Sequence, residues 1–269
     1  MKNNKHNTIG KGENERAING GADKFYTKQH IADKYSNKVL ELFGTDVDYI
    51  EPTAGNGAFL TILPNIQGYD LIPEREDIIE KDVFKNTSFS TNSVIVGNPP
   101  FGMNASLAQA IFNHIASFKV KAICFIVPKT FKKTSMQNKL SLDYSIVYEE
   151  DVEDNAFLVE GRDKHVPCVF QVWKLTKCKR VKVPTASCKE IVFTTADKAN
   201  IAVRRAGGRA GQVLQGLNHS KSSTYFIKAT EIGIEALHKI DLSVVDNTAG
   251  VRSISKHELC TEINKVLGV

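Results

Sequence analysis

The residues with the most chemistry to offer stand together in Asn98-Pro99-Pro100-Phe101. Asn98 brings an amide oxygen and Pro99 a carbonyl with no local donor, and two such acceptors suit an –NH2 group. The Phe101 ring suits the planar system that would carry this amine. Neither proline can donate a ladder hydrogen bond, and Pro100 pushes Pro99 out of the helical region. The stretch therefore reads as a stiff, extended loop. Its plain structural alternative is a strand end, a proline turn and a core phenylalanine.

A second cluster precedes it. Glu51-Pro52-Thr53-Ala54-Gly55-Asn56-Gly57-Ala58-Phe59-Leu60 has the small residues that let a backbone approach a ligand. No Gly-Lys-Ser/Thr follows, and the acid at Glu51 repels phosphate but suits a cationic amino group. Asp70 lies near the distance beyond the turn at which a carboxylate meets ribose hydroxyls, roughly 20 residues in dinucleotide folds. Asp82 stands beside Val83 and Phe84. Each acid alone also fits a solvated surface.

These groups need strands to aim them. Val47–Pro52, Asn65–Asp70 and Val94–Gly97 read as strands, each ending at one of the clusters. Lys121–Val127, Tyr144–Tyr148 and Val166–Leu175 read as further strands. Ile31, Tyr35, Val39, Leu40 and Phe43 have helical spacing, with Thr27 as the cap and Gly44 as the stop. Thr53–Leu60 should turn into a helix, and 105–118 and 131–140 read as two more. Strands alternating with helices imply a mainly parallel sheet covered on both faces, with ligands at its carboxyl edge.

Beyond Lys177 the character changes. Short strands over 181–183, 191–193, 201–203 and 225–227 alternate with basic, glycine-rich turns, and helices are expected over 231–240 and 256–267. From Lys174 onward there are 16 Lys/Arg against 8 Asp/Glu, a net +8, whereas the rest carries 19 against 22, a net −3. That asymmetry points to a polyanion at the C-terminal third. The five cysteines form no C-x-x-C pair, and the six histidines from His30 to His257 show no ligand spacing, so no metal is expected. Cys168 opens an apolar strand and reads as a core residue. No run approaches a membrane span and no apolar leader opens the chain. The expected location is cytoplasmic, nucleoid-associated in a prokaryotic host, and a viral origin also fits.

From Phe25 to Trp173 the sequence resembles the S-adenosylmethionine-dependent N6-adenine DNA methyltransferases. Glu51–Phe59 is similar to the family's cofactor motif and Val96–Phe101 to its catalytic motif. Phe25-Tyr26-Thr27 is similar to the upstream motif of the group whose recognition region comes last. The resemblance implies an α/β fold: a Rossmann-like seven-stranded, mostly parallel sheet with helices on both faces, plus a small C-terminal mixed α/β recognition region. The expected division is a segment over 1–22 that composition marks as disordered, a catalytic domain over 23–176 that the resemblance implies, and a basic recognition region over 177–269 inferred from charge and position.

The cofactor implied is S-adenosylmethionine, held by Phe25, Tyr26, Thr27, Glu51, Pro52, Ala54, Gly55, Gly57, Phe59, Asp70, Asp82, Val83 and Asn98. The catalytic set implied is Asn98, Pro99, Pro100 and Phe101. Asn98 and Pro99 would accept the two hydrogens of the target amine, and Phe101 would stack on a base flipped from duplex DNA. Transfer would be direct, with no covalent enzyme intermediate. Lys129, Lys132, Lys133, Arg204, Arg205, Arg209 and Lys221 are the expected nucleic-acid contacts. A restriction endonuclease is a conceivable partner, and action as monomer or homodimer is open. The alternatives are adenine in RNA, a protein glutamine amide, or a catalytically silent DNA-binding subunit.

Overall fold

The computed structural model describes residues 25–85, 88–248 and 250–269. The segment expected to be disordered lies outside them. The chain divides into two units, one holding the described residues up to Val127 together with Leu140–Arg180, the other Pro128–Lys139 with Val181–Val269. Residues 128–139 thus pack with the C-terminal unit, although the sequence places them in the run of alternating strands and helices.

The first unit is built on a seven-stranded sheet. Its strands are β2 (Asp48–Glu51), β3 (Gln67–Asp70), β4 (Ile78–Glu80), β5 (Ser93–Gly97), β6 (Ala122–Pro128), β7 (Tyr144–Asp151) and β10 (Cys168–Leu175). Their order is β4-β3-β2-β5-β6-β10-β7. Strands β2 to β6 run parallel to their neighbours, and β10 pairs antiparallel with β7 across a bulge at Val172/Trp173. The order reverses between β2 and β5, which makes the crevice beyond their carboxyl ends the switch point of an open α/β sheet. This is the Rossmann-like architecture expected.

Helices cover both faces. Helix α1 (Gln29–Phe43) lays Ile31, Tyr35 and Val39 on one face, over Tyr49, Val96, Cys124 and Phe170. Tyr35 stacks on Phe170 with ring centroids 4.2 Å apart. Helix α2 (Ser106–Ser117) serves the other face, where Phe112 meets Trp173 and Tyr144 edge-on. Gly44 ends α1 with φ +67° and donates to the Leu40 carbonyl, as expected of a stop.

Two local expectations are corrected. Thr27 does not cap α1; Lys28 holds that position, and Thr27 lies in β1 (Tyr26–Thr27), paired with β8 (Phe157–Val159). The glycine turn leads into a single 3-10 turn over Ala58–Thr61 instead of an α-helix. Gly57 enters it at φ +77°, and Pro64 disfavours helix at the residue before it, so the segment between is too short for a helix.

Strands β8 and β9 (Arg162–Lys164) form a hairpin with β1 on its edge. Its turn residues Glu160 and Gly161 both have positive φ, +49° and +75°, as a two-residue type I′ turn requires.

The second unit holds a four-stranded antiparallel sheet in the order β11-β14-β12-β13, from β11 (Ile191–Thr194), β12 (Ile201–Arg204), β13 (Val213–Leu214) and β14 (Thr224–Ala229). Helices α4 (Glu231–Leu237) and α5 (Lys256–Leu267) share its core through Leu237, Leu259 and Ile263. Ser255 and Glu258 form a capping box at the start of α5. The helix expected over 131–140 is a 3-10 turn, Lys129–Lys132, and the short α3 (Thr134–Gln137). The strand expected at 181–183 is absent; Val183 instead exchanges both backbone groups with the Asn138 side-chain amide. No helix among the described residues is long and apolar enough to cross a membrane.

Candidate functional site

The carboxyl ends of β4, β3, β2 and β5 each deliver one of the groups singled out above. Asp82 follows β4, Asp70 ends β3, Glu51 and the glycine turn end β2, and Asn98 follows β5. Adjacent strands in one order thus bring sequence-distant residues to one edge.

The glycine turn is tied to its neighbours by hydrogen bonds. The Gly55 N–H donates to Asp70 Oδ2 at 2.7 Å, and Ala54 N–H to the Tyr69 carbonyl at 2.8 Å. Lys81 N–H donates to the Asp70 carbonyl, which sets Asp82 beside Asp70. A Cβ on Gly57 would lie 2.6 Å from Arg75 Nη1, and Arg75 donates to the Gly57 carbonyl at 3.1 Å while gripping Asp77 through two nitrogens. Beside it the Tyr26 hydroxyl donates to Glu74 at 2.6 Å. Loop 71–77 therefore lies against the turn, and Arg75 and Glu74 are site residues that sequence reading missed; a loop between two short strands carries no periodicity to mark them.

Glu51 is 2% exposed, and one of its carboxylate oxygens has no partner. Burial first, then the charge of Asp70, raises its pKa well above the ordinary value, against a smaller pull from Arg75. The carboxyl packs on Gly97, where a Cβ would sit 3.2 Å from its Cγ and Oε1, and Gly97 itself has φ +149°. Both the conformation and the close approach need glycine there.

Asn98 donates from Nδ2 to the Phe25 carbonyl at 3.1 Å. A carbonyl can only accept, so the amide nitrogen is the atom facing it and Oδ1 is left as an acceptor, buried and without a partner. The Phe101 ring stacks on Phe25, centroids 6.1 Å apart and 21° from parallel, and Phe25 meets Phe157 of the β8–β9 hairpin edge-on. Pro99 is buried and Pro100 exposed. After Phe101 the chain turns sharply, with Gly102, Asn104 and Ala105 all at positive φ. For the two non-glycine residues that costs about 1–2 kcal/mol each.

Unpartnered buried atoms therefore gather at this edge: Thr27 Oγ1, Glu51 Oε2, Thr53 Oγ1 and Asn98 Oδ1. Others occur elsewhere, at Tyr35, Ser36, Ser93, His114 and Thr224, so the convergence and not the number marks the crevice. A glycine turn, a carboxyl awaiting a cationic partner and a second acid on the next strand fit a ligand carrying an ammonium group and a ribose. Phe59 is a correction: it is 1% exposed inside the apolar core and offers no surface to a ligand. A cleft of about 590 Å³ opens at the opposite, amino edge, beside Asp46, Asp48 and Asn92, away from these residues.

The expected nucleic-acid contacts sit in the second unit. Arg205, Arg209 and Lys221 are exposed, and Arg204 donates to Ser223 Oγ. Lys133 is a second correction. It is 8% exposed, and its ammonium is engaged by Glu258 and the Ser253 carbonyl, both at 3.0 Å. It fastens residues 128–139 to the start of α5 and is not presented to a polyanion.

Residues 65–174, from the start of β3 to the end of the sheet, match the family model described as EDM2 methyltransferase-like domain. That segment of the sheet unit is thus similar to a methyltransferase-like domain. Over 121 residues the chain is 30% identical to Protein ENHANCED DOWNY MILDEW 2 of Arabidopsis thaliana, which covers 40% of this chain but only 9% of that protein. Among solved structures, a protein of Pyrococcus horikoshii described as an RNA methyltransferase aligns with 13% identity and TM-score 0.44, covering 57% of this chain and 87% of its own. One of Vibrio vulnificus, described as the modification subunit of a type I restriction enzyme, aligns with 11% identity and TM-score 0.41, over 96% and 64%. The matched family segment contains Asp70, Asp82 and Asn98–Phe101 but begins after the glycine turn.

Proposed function

We propose that this chain transfers a methyl group from S-adenosylmethionine to the N6 amino group of adenine in a short DNA site. The observation that carries the reading is Asn98, whose amide nitrogen is spent on the Phe25 carbonyl and whose oxygen is left buried and unpartnered at the sheet edge. The Asn98 oxygen and the Pro99 carbonyl accept the two hydrogens of the amine. That draws the nitrogen toward tetrahedral geometry and localises a lone pair otherwise delocalised into the ring. Phe101, buttressed by Phe25, presents a face on which the purine stacks. Glu51 offers its carboxyl to a cationic amino group, and Asp70 its oxygens to ribose hydroxyls. The bound cofactor supplies an electrophilic methyl group on a sulfonium. Orientation of the amine by fixed acceptors accounts for much of the rate, since it converts an encounter into a near-attack arrangement. Phosphates are met by the basic surface of the second unit.

The test is transfer of tritiated methyl from the labelled cofactor to duplex DNA, single-stranded RNA and bulk protein, side by side. Label in DNA, recovered as N6-methyladenine, is expected; label in RNA or protein alone would replace adenine in DNA with the corresponding alternative. Asn98→Ala should lower transfer by about 10²–10³-fold, the usual loss of one oriented hydrogen-bonding group. Cofactor affinity should stay within about twofold, well under the 1.4 kcal/mol of a tenfold change.

A further inference from the structure

The turn that follows Phe101 presents one large apolar side chain to solvent. Met103 is 72% exposed between the exposed Gly102 and Asn104, and the chain is buried again at Ala105. The backbone beneath it is firmly held. Leu107 and Ala108 N–H groups donate to the Phe101 carbonyl at 3.1 and 3.3 Å, and Ala105 N–H to the Gly102 carbonyl at 3.2 Å. Gly102 fits only as glycine, because a Cβ would lie 2.7 Å from that of Leu107 at φ +67°. Asn104 and Ala105 take left-handed conformations that non-glycine residues avoid. Strain of this kind persists where a function needs one particular side chain held in place.

We infer that Met103 is the wedge that enters a duplex when the target base leaves it. The inference rests on the proposed reading of adenine in duplex DNA as the substrate. The hole left by a flipped base is flat, apolar and flanked by stacked purines and pyrimidines, and proteins fill or open such steps with Met, Leu, Ile, Phe or Pro. Methionine is unbranched and polarisable, so it adapts to whichever bases flank the gap. Met103 stands two residues beyond Phe101, on a turn anchored to the Phe101 carbonyl itself. One rigid turn thus carries both the ring that receives the base and the side chain that holds its place. Met103 is a positioning residue here; it touches neither the amine nor the methyl donor.

The experiment measures tritiated methyl transfer by the full chain to unmethylated plasmid DNA, intact and after heat denaturation to single strands. Met103→Ala is expected to lose at least tenfold on duplex DNA and to stay within twofold on denatured strands, where no stack need be opened. Met103→Leu is expected to restore most of the duplex activity. Circular dichroism melts of both variants should match the parent, as befits an exposed position. Equal losses on both substrates, or no loss on either, would overturn the wedge while leaving the methyltransferase reading intact. A parent protein that labels neither form of DNA would overturn both, and RNA or protein label would then identify the substrate.

Discussion

Glu51 closes β2 with its carboxyl buried and one oxygen unpartnered, and its protonation is coupled to whatever sits beside it. Burial and Asp70 raise its pKa in the folded chain well above 4.5, the value taken for the free side chain. The sign follows. Its contribution to stability is complete below pH 4.5 and is lost as pH rises through the folded value, because the unfolded chain releases the proton first. Glu51→Gln should therefore flatten the fall in stability above pH 4.5, read from urea midpoints across the pH range. A cationic ligand group favours the ionised carboxyl, so binding of S-adenosylmethionine should release a proton and tighten with pH. Calorimetry in two buffers of different ionisation enthalpy checks this; no net proton release would remove Glu51 from the cationic end of the ligand. At this scale the placement of Glu51, Asp70 and Asn98 at strand ends was legible from the apolar runs that lead into them. Phe59 and Lys133 were misread, since nothing in a one-dimensional pattern says whether a side chain turns inward.

Elements show where local propensity yields to neighbours. The long strands and α1, α2 and α5 follow from apolar periodicity, and packing agrees with it. The helix expected after the glycine turn does not form because Gly57 and Pro64 leave too little chain. The β8–β9 hairpin was overlooked although Glu160-Gly161 is a recognisable turn pair; its strands of three residues fall below the length at which alternation is visible. That hairpin matters, because it carries Phe157 against Phe25 and pairs with Thr27. Gly97→Ala tests how much the switch point depends on backbone freedom. The added Cβ meets Glu51 at 3.2 Å on a φ that alanine resists, and a loss of about 1–3 kcal/mol is expected. Urea denaturation would read it, and cofactor affinity should fall with it because the displaced side chain is Glu51. An unchanged midpoint would mean that the strand end relaxes freely.

For the molecule as a whole, charge is spread unevenly between the two units. The second unit, residues 128–139 and 181–269, holds 16 Lys/Arg against 8 Asp/Glu, and this net +8 carries the proposed binding to DNA, expected to weaken steeply with salt. Replacing Arg205 or Arg209 by alanine should each lower the slope of log K against log salt by about 0.9, the contribution of one phosphate contact. Lys133→Ala should leave that slope unchanged and instead cost about 1–3 kcal/mol of stability, since it takes the cationic partner from a Glu258 carboxylate that is left with the Ser255 N–H. A slope that drops with Lys133→Ala and does not move with Arg205→Ala or Arg209→Ala would reverse these assignments. Fold class was readable at this scale from the alternation of strands and helices, but the division of the chain was not, because a twelve-residue excursion leaves no change in composition.

That excursion, Pro128–Lys139, has a consequence for synthesis on the ribosome. Within the second unit, Lys133 of this segment holds Glu258 of α5, and the unit's other parts lie from Val181 onward. A growing chain has therefore made Lys133 long before it makes the helix that this lysine grips. A nascent chain arrested before α5 would leave the Lys133 ammonium without its carboxylate, and chimeras that exchange only the C-terminal portion would break the same pair whenever the incoming helix lacks Glu258. Transplanting the basic unit as a working cassette requires two joints, one on each side of residues 128–139, and a third after Arg180.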